Sequence, residues 1–117
     1  MMHKLFIIIL MASIFKSCNS QEVTKDKAIN GMQELELVKK LNKPRRETII
    51  PIHKKVNLLE YQSDLFEITK DLTESDTIYV KELYWEHKKT KQVVWLKKTH
   101  ENWIVFDNLI WSNKIQF

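Results

Sequence analysis

From residue 77 onward the chain is dominated by β-branched and aromatic residues, and this half constrains the fold more than any other part. Ile78-Tyr79-Val80 through Tyr84-Trp85 reads as one strand. His87 to Lys91 is a polar turn, and Val93-Val94-Trp95-Leu96 begins a second strand. Thr99 to Asn102 is the next turn. Trp103-Ile104-Val105-Phe106 begins a third run, which continues past Asp107-Asn108 into Leu109-Ile110-Trp111. Strands joined by short polar loops predict an antiparallel meander. Four apolar side chains follow one another at 103–106, although strict alternation would bury only every second one. Both faces of the sheet therefore need cover. One is expected to meet a helix. The other is covered by residues 48–72, by a partner, or left as an open aromatic surface carrying Tyr84, Trp95, Trp103 and Trp111. The competing reading of those four is ordinary core packing; Trp and Tyr are also the residues enriched at interface hot spots. Ile115 and Phe117 are expected to pack back on the sheet.

Residues 30–44, NGMQELELVKKLNKP, carry the start and stop signals of a helix. Asn30 is the expected N-cap, with Gln33 at the capping-box position. Leu35, Leu37, Val38 and Leu41 fall within an arc of roughly 160° at 100° per residue, with Gln33, Glu36, Lys39 and Lys40 outside it. Asn42 suits a left-handed C-terminal position, and Pro44 forbids continuation. A helix of about 12 residues is marginal alone, so its apolar stripe needs a surface to lie on.

The spacing of Gly31-Met32, Leu37, Leu41, Asn42 and Pro44 resembles the N-terminal helix motif of the SmpA/OmlA (BamE-like) family, with Gln33 in place of the family's Thr and Asn42 in place of its Gly. The resemblance covers about 14 residues. It implies a helical N-terminus packed on a three-stranded antiparallel sheet, a lipoprotein facing the periplasm, and a binding or scaffold role without catalysis. No partner site carries over from it.

Residues 45–76 fit two descriptions. Thr48-Ile49-Ile50-Pro51-Ile52 suits a short edge strand, because Pro51 cannot donate to a ladder. Beyond it, Leu58, Tyr61, Leu65, Ile68 and Leu72 follow helical spacing, while Leu59, Tyr61 and Leu65 also share one side of a strand. Strand is the preferred reading, from the family resemblance and the sheet's need for partners.

Residues 5–15, LFIIILMASIF, are the one long apolar run, preceded by a short basic lead with Lys4. A basic start, about 7–15 apolar residues and a small residue at the cut site describe a secretory signal. As a helix the run spans roughly 16 Å at 1.5 Å per residue, short of the ~30 Å bilayer core. Ser17 then precedes the only cysteine, Cys18, and polar residues follow. This resembles the lipobox of bacterial lipoproteins, in which the cysteine is acylated and becomes the new N-terminus. Phe15 and Lys16 depart from its usual aliphatic and small residues. An ordinary signal cut near Ser17 or Ser20 is the rival reading. One cysteine forms no intrachain disulfide.

Losing residues 1–17 removes Lys4 and Lys16 and no acid, so the formal charge falls from +4 to +2. That is mild. The basic clusters (Lys43, Arg45 and Arg46; Lys88, Lys89 and Lys91; Lys97 and Lys98) read as solvating, edge-protecting charges, and no nucleic-acid partner is expected. A single glycine excludes Gly-rich phosphate loops and dinucleotide fingerprints. His3, His53, His87 and His100 show no metal-ligand spacing. Glu60, Asp64, Glu67, Glu82, Glu86 and Asp107 read as solvated surface acids, and no nucleophile motif is present. No catalytic, metal or cofactor site is expected.

The sequence thus predicts a signal peptide over 1–17, a lipidated tether over 18–27 and a single α+β domain over 28–117. In that domain an N-terminal helix packs on an antiparallel sheet of three to five strands as a two-layer sandwich. The expected role is a non-enzymatic envelope lipoprotein, anchored in a membrane (the outer one by preference) through Cys18, facing the periplasm and binding another envelope protein. The alternatives are a secreted form, an inhibitor or immunity-type protein docking through its sheet, and an exported enzyme.

Overall fold

The computed structural model describes residues 23–115. The leader and Cys18, and Phe117 at the other end, lie outside them. Four strands form one antiparallel sheet in chain order: β1 (Arg46–Ile52), β2 (Ile78–Glu86), β3 (Thr90–Thr99) and β4 (Asn102–Ser112). Helix α1 (Glu34–Leu41) precedes β1. A 3-10 segment (Glu60–Leu65) runs into one helical turn, α2 (Phe66–Thr69), between β1 and β2. The class is α+β, with a strand number inside the expected range.

The meander follows the sequence pattern closely. Residues 87–89 join β2 to β3, and His100-Glu101 alone join β3 to β4, with Thr99 opposite Asn102. His100 takes φ 58, a left-handed conformation that His tolerates better than β-branched residues do. β1 is an edge strand with Pro51 on it, as expected. The register slips between Trp95, opposite Asp107, and Leu96, opposite Val105, which makes Phe106 the extra residue of a β-bulge. The bulge answers the uninterrupted apolar run at 103–106: Val105 joins one buried cluster and Phe106 packs against the other.

The outer edge of β4 is occupied by the chain's own N-terminal segment. Thr24 exchanges two backbone hydrogen bonds with Ile110, at 2.8 and 2.7 Å, and the Gly31 N–H donates to the Val105 carbonyl at 2.8 Å. Asn108, fully buried, binds the backbone of Asp26 through both ends of its amide (2.9 Å each) and donates to Asn30 Oδ1 at 3.2 Å. Thr24 and Asp26, which fall within the tether expected over 18–27, are hydrogen-bonded to β4.

Helix α1 starts later than expected. Gly31 takes φ 91, a conformation that costs glycine little, and this turns the chain before the helix begins. Asn30 ends a 3-10 turn (Lys27–Ile29) instead of capping α1, and Gln33 is the N-cap without a side-chain bond. The C-terminal reading holds: Asn42 has φ 70, and its carbonyl accepts from the Trp85 indole N–H at 3.0 Å. Leu37 is buried in a cluster with Leu83, Trp85, Val94, Leu96 and Val105, and Leu41 packs against it. Leu35, at the margin of the predicted stripe, points away from that cluster and is exposed.

The segment 56–72 is not a strand, which corrects the preferred reading: it is helical over 60–69, with irregular chain before it and a turn after it. β1 already pairs directly with β2, so the sheet has no gap for another strand there. The opposite sheet face, carrying Val80, Tyr84, Val93, Trp95, Leu109 and Trp111, needs a lid. Leu65 and Leu72 bury themselves on it, with Leu58, Tyr61 and Ile68 alongside. This is the 3–4 spacing of the sequence, selected by the surface it meets. The apolar residues of this sheet face are thereby covered by the chain's own segment.

Candidate functional site

Three of the four aromatics that are candidates for an open surface are interior, as the core-packing reading has them. Trp95 is fully buried, and Tyr84 and Trp111 nearly so, because the 56–72 segment lies over them. Trp103 is half-buried and lies on the other face, against the Leu37 cluster.

Beneath the 56–72 cover lies Glu82, a buried carboxylate on β2. It accepts from the Tyr61 O–H at 2.8 Å, the Gln62 side-chain amide at 3.0 Å and the Trp95 indole N–H at 2.9 Å. Gln62 in turn accepts from the Leu59 backbone N–H at 3.0 Å. The carboxylate thereby ties the cover to the sheet. Burial, and then the hydrogen bond and negative charge of Glu82, push the Tyr61 phenol well above its ordinary pKa. The expectation that Glu82 is a solvated surface acid is corrected by this burial; its neighbours on β2 hide it, since Val80 and Tyr84 share its face. A second tie runs from Lys25 to Asp64 and Asp107, at 3.1 Å each. Burial works against the charge on Lys25, but the hydrogen bonds to the two acids outweigh it and raise its pKa.

Two surfaces offer recognition chemistry. The first is on the α1 face, where the helix covers only part of the sheet. Leu35 is 70% exposed, Ile49 46% and Tyr79 56%, and Trp103 lies between them: it shares one shallow concavity with Leu35 and Val38 and another with Ile49 and Tyr79. The Trp103 ring is pinned by Lys81, whose ammonium sits 4.7 Å from its centroid and pairs with Glu34 at 2.8 Å and Glu47 at 3.7 Å. An aromatic held in place before binding loses little entropy when it is covered. Sequence reasoning found Trp103 but missed Ile49 and Tyr79. The signal was present: Tyr79, Lys81, Leu83 and Trp85 alternate onto one face of β2.

The second is a concavity of about 430 Å³ on the opposite face, near the β2–β3 hairpin. All four strands contribute to its lining, β1 through Arg46, β2 through Tyr84, β3 through Lys91 and Val93, and β4 through Trp111; Tyr61 and Ile115 complete it. Arg46 stacks 4.4 Å above the Tyr84 ring, and the Tyr61 and Trp111 rings lie 6.1 Å apart, tilted by 37°. Tyr84 and Trp111, two of the four candidate aromatics, are thus brought together here.

Among the described residues no group of three His, Cys, Asp or Glu side chains is placed to hold a metal ion. His87 shares a 2.8 Å hydrogen bond with Gln92, and His53 accepts from the Lys55 backbone N–H. No helix of the described residues is long and apolar enough to cross a membrane. Compared with protein-family models, curated proteins and solved structures, the chain matches none.

Proposed function

We propose that this chain is a small exported lipoprotein, anchored by acyl chains on Cys18, whose domain serves the cell envelope by binding another envelope protein rather than by catalysis. Its N-terminal helix is the layer that lies on the sheet. The reading is carried by the open apolar surface centred on Trp103, with Leu35, Ile49 and Tyr79 around it. An apolar patch rimmed by polar residues suits a protein partner. The basic lead, apolar run and Ser17-Cys18 pair supply the route out of the cytosol and the anchor. A diacylglyceryl group joined to the thiol by one thioether bond carries two acyl chains, enough for stable membrane attachment where a single chain gives only reversible binding. The helix spacing shared with the SmpA/OmlA family agrees with the same location and role.

Mass spectrometry of the mature N-terminal peptide tests the anchor. An acylated Cys18 and loss of envelope attachment in Cys18→Ala support it; an unmodified peptide or full-length product in the cytosol overturns it. A photo-crosslinker at Tyr79 in intact cells tests the surface. Capture of a defined membrane or periplasmic assembly protein, lost in Trp103→Ala, is the expected result. Stoichiometric capture of one soluble secreted enzyme instead makes the protein an inhibitor, and no capture removes the surface from the account.

A further inference from the structure

We infer that the concavity bounded by Arg46, Tyr61, Tyr84, Lys91 and Trp111 is a binding site for a small organic anion: one carboxylate, sulfonate or phosphate on an aromatic or branched apolar body. It lies on the sheet face opposite Trp103, and the inference rests neither on export nor on lipidation.

The charge of the site argues for the anion. Of the cations nearby, Arg45 pairs with Glu86 at 3.0 Å, but Arg46 and Lys91 make no ion pair among the described residues. Among the described residues no carboxylate lines the concavity. Two acids of β2, on the same strand as Tyr84, are already engaged. Glu82 lies beneath the cover with three donors on it, and Glu86 accepts from Arg45 and from the Tyr84 O–H, at 3.0 Å each. Both phenols donate their single proton to those acids, so they have none to offer a ligand. The cationic donors of the lining are the guanidinium of Arg46 and the ammonium of Lys91, on β1 and β3, on either side of Tyr84. The Arg46 guanidinium carbon sits 4.4 Å from the Tyr84 ring centroid, and a guanidinium resting on a ring still has N–H donors for a planar anion. The walls set the rest of the ligand: Tyr61, Tyr84, Trp111 and Val93 present ring and methyl surface to an apolar body. A volume of about 430 Å³ lies in the range of small-molecule sites.

Three probes that share one body separate this reading from simple apolar adsorption: 4-(trifluoromethyl)benzoate, the neutral 4-(trifluoromethyl)benzyl alcohol and the cationic 4-(trifluoromethyl)benzylamine. Their fluorine NMR line widths are followed as the full-length protein is titrated. The benzoate is expected to bind at least ten-fold more tightly than the alcohol, and the amine not at all. Benzoate affinity falls about ten-fold in Arg46→Gln and several-fold in Lys91→Gln, weakens with added salt, and is unchanged in Trp103→Ala. Both cations are on the rim, so these variants fold; a native circular dichroism spectrum checks it. Equal binding of the three probes, no binding of the benzoate, or full affinity in Arg46→Gln overturns the inference. None of these results bears on the Trp103 surface, which Trp103→Ala tests separately.

Discussion

At the scale of single residues, Glu82 has the most depending on it. Its carboxylate is out of water, and Tyr61, Gln62 and Trp95 all spend a donor on it. Glu82→Leu keeps the bulk but strands those donors in an apolar cluster, and each buried unsatisfied donor costs about 1–3 kcal/mol. A loss of roughly 3 kcal/mol or more in urea unfolding is expected, with a smaller loss for Glu82→Gln, which keeps one acceptor oxygen. A change within about 0.5 kcal/mol, the usual range at the surface, would show that the clasp contributes nothing. The same site predicts an alkaline limit. Tyr61 has its folded pKa raised by burial and by Glu82, so the native state holds its proton more tightly than the unfolded chain does. Its contribution is complete below the unfolded tyrosine value of about 10 and is lost as pH rises beyond it. Tyr84, raised by burial and by Glu86, and Lys25, raised by Asp64 and Asp107, act in the same direction. Stability should therefore fall above about pH 10. Tyr61→Phe should flatten that fall relative to the parent; parallel curves would assign it elsewhere. None of this was legible in the sequence, where Glu82 is one acid among fifteen. Its burial depends on which segment comes to rest above β2.

At the scale of elements, the strands were legible and the cover was not. Residues 78–86, 90–99 and 102–112 are rich in β-branched and aromatic side chains and are separated by polar turns, and they form β2, β3 and β4. A local signal decided a local outcome. Residues 56–72 carry two periodicities at once, and only the vacant face of the sheet separates them. Helical turns put Leu65 and Leu72 on that face, whereas a strand could only have added to an edge. The cover is therefore held by its tertiary contacts. Leu65→Ala, at a fully buried position, should cost about 2–5 kcal/mol. Leu59→Ala, at an exposed position six residues earlier, should cost little. Urea midpoints of the two variants check the contrast, and equal losses would mean that the segment does not pack by this face. Helix α1 shows the same division of information. Its stop at Asn42 was legible because a positive φ and a nearby Pro are local requirements. Its start was not, because Gly31 turns the chain to meet Val105 on β4, more than 70 residues away in sequence.

Across the whole molecule, one sheet is shared by two apolar clusters, and neither can lose its cover without exposing strands that also build the other. The N-terminal segment adds a third constraint, since Thr24 and Gly31 are hydrogen-bonded along β4. A single cooperative transition follows. Tryptophan fluorescence, which reports on both faces through Trp85, Trp95, Trp103 and Trp111, should change at the same urea concentration as far-ultraviolet circular dichroism. Separate midpoints would mean that the 56–72 cover unfolds before the sheet. The surfaces offered for recognition emerge at this scale as well. Trp103 remains partly open because α1, eight residues long, is too short to reach across β1 and the start of β2. Arg46 and Lys91 come together only because β1, β2 and β3 lie side by side.

The amino-acid order alone determined the strands and turns from residue 78, the edge position of Pro51 and the end of α1, because each depends on the backbone preferences of a few adjacent residues. Tertiary structure decided which aromatics are interior, the helical form of 60–69, the bulge at Phe106, the burial of Glu82 and the placing at one rim of two cations that have no ion pair among the described residues. Those outcomes depend on groups far apart in sequence competing for the same sheet face, and no local pattern carries that information.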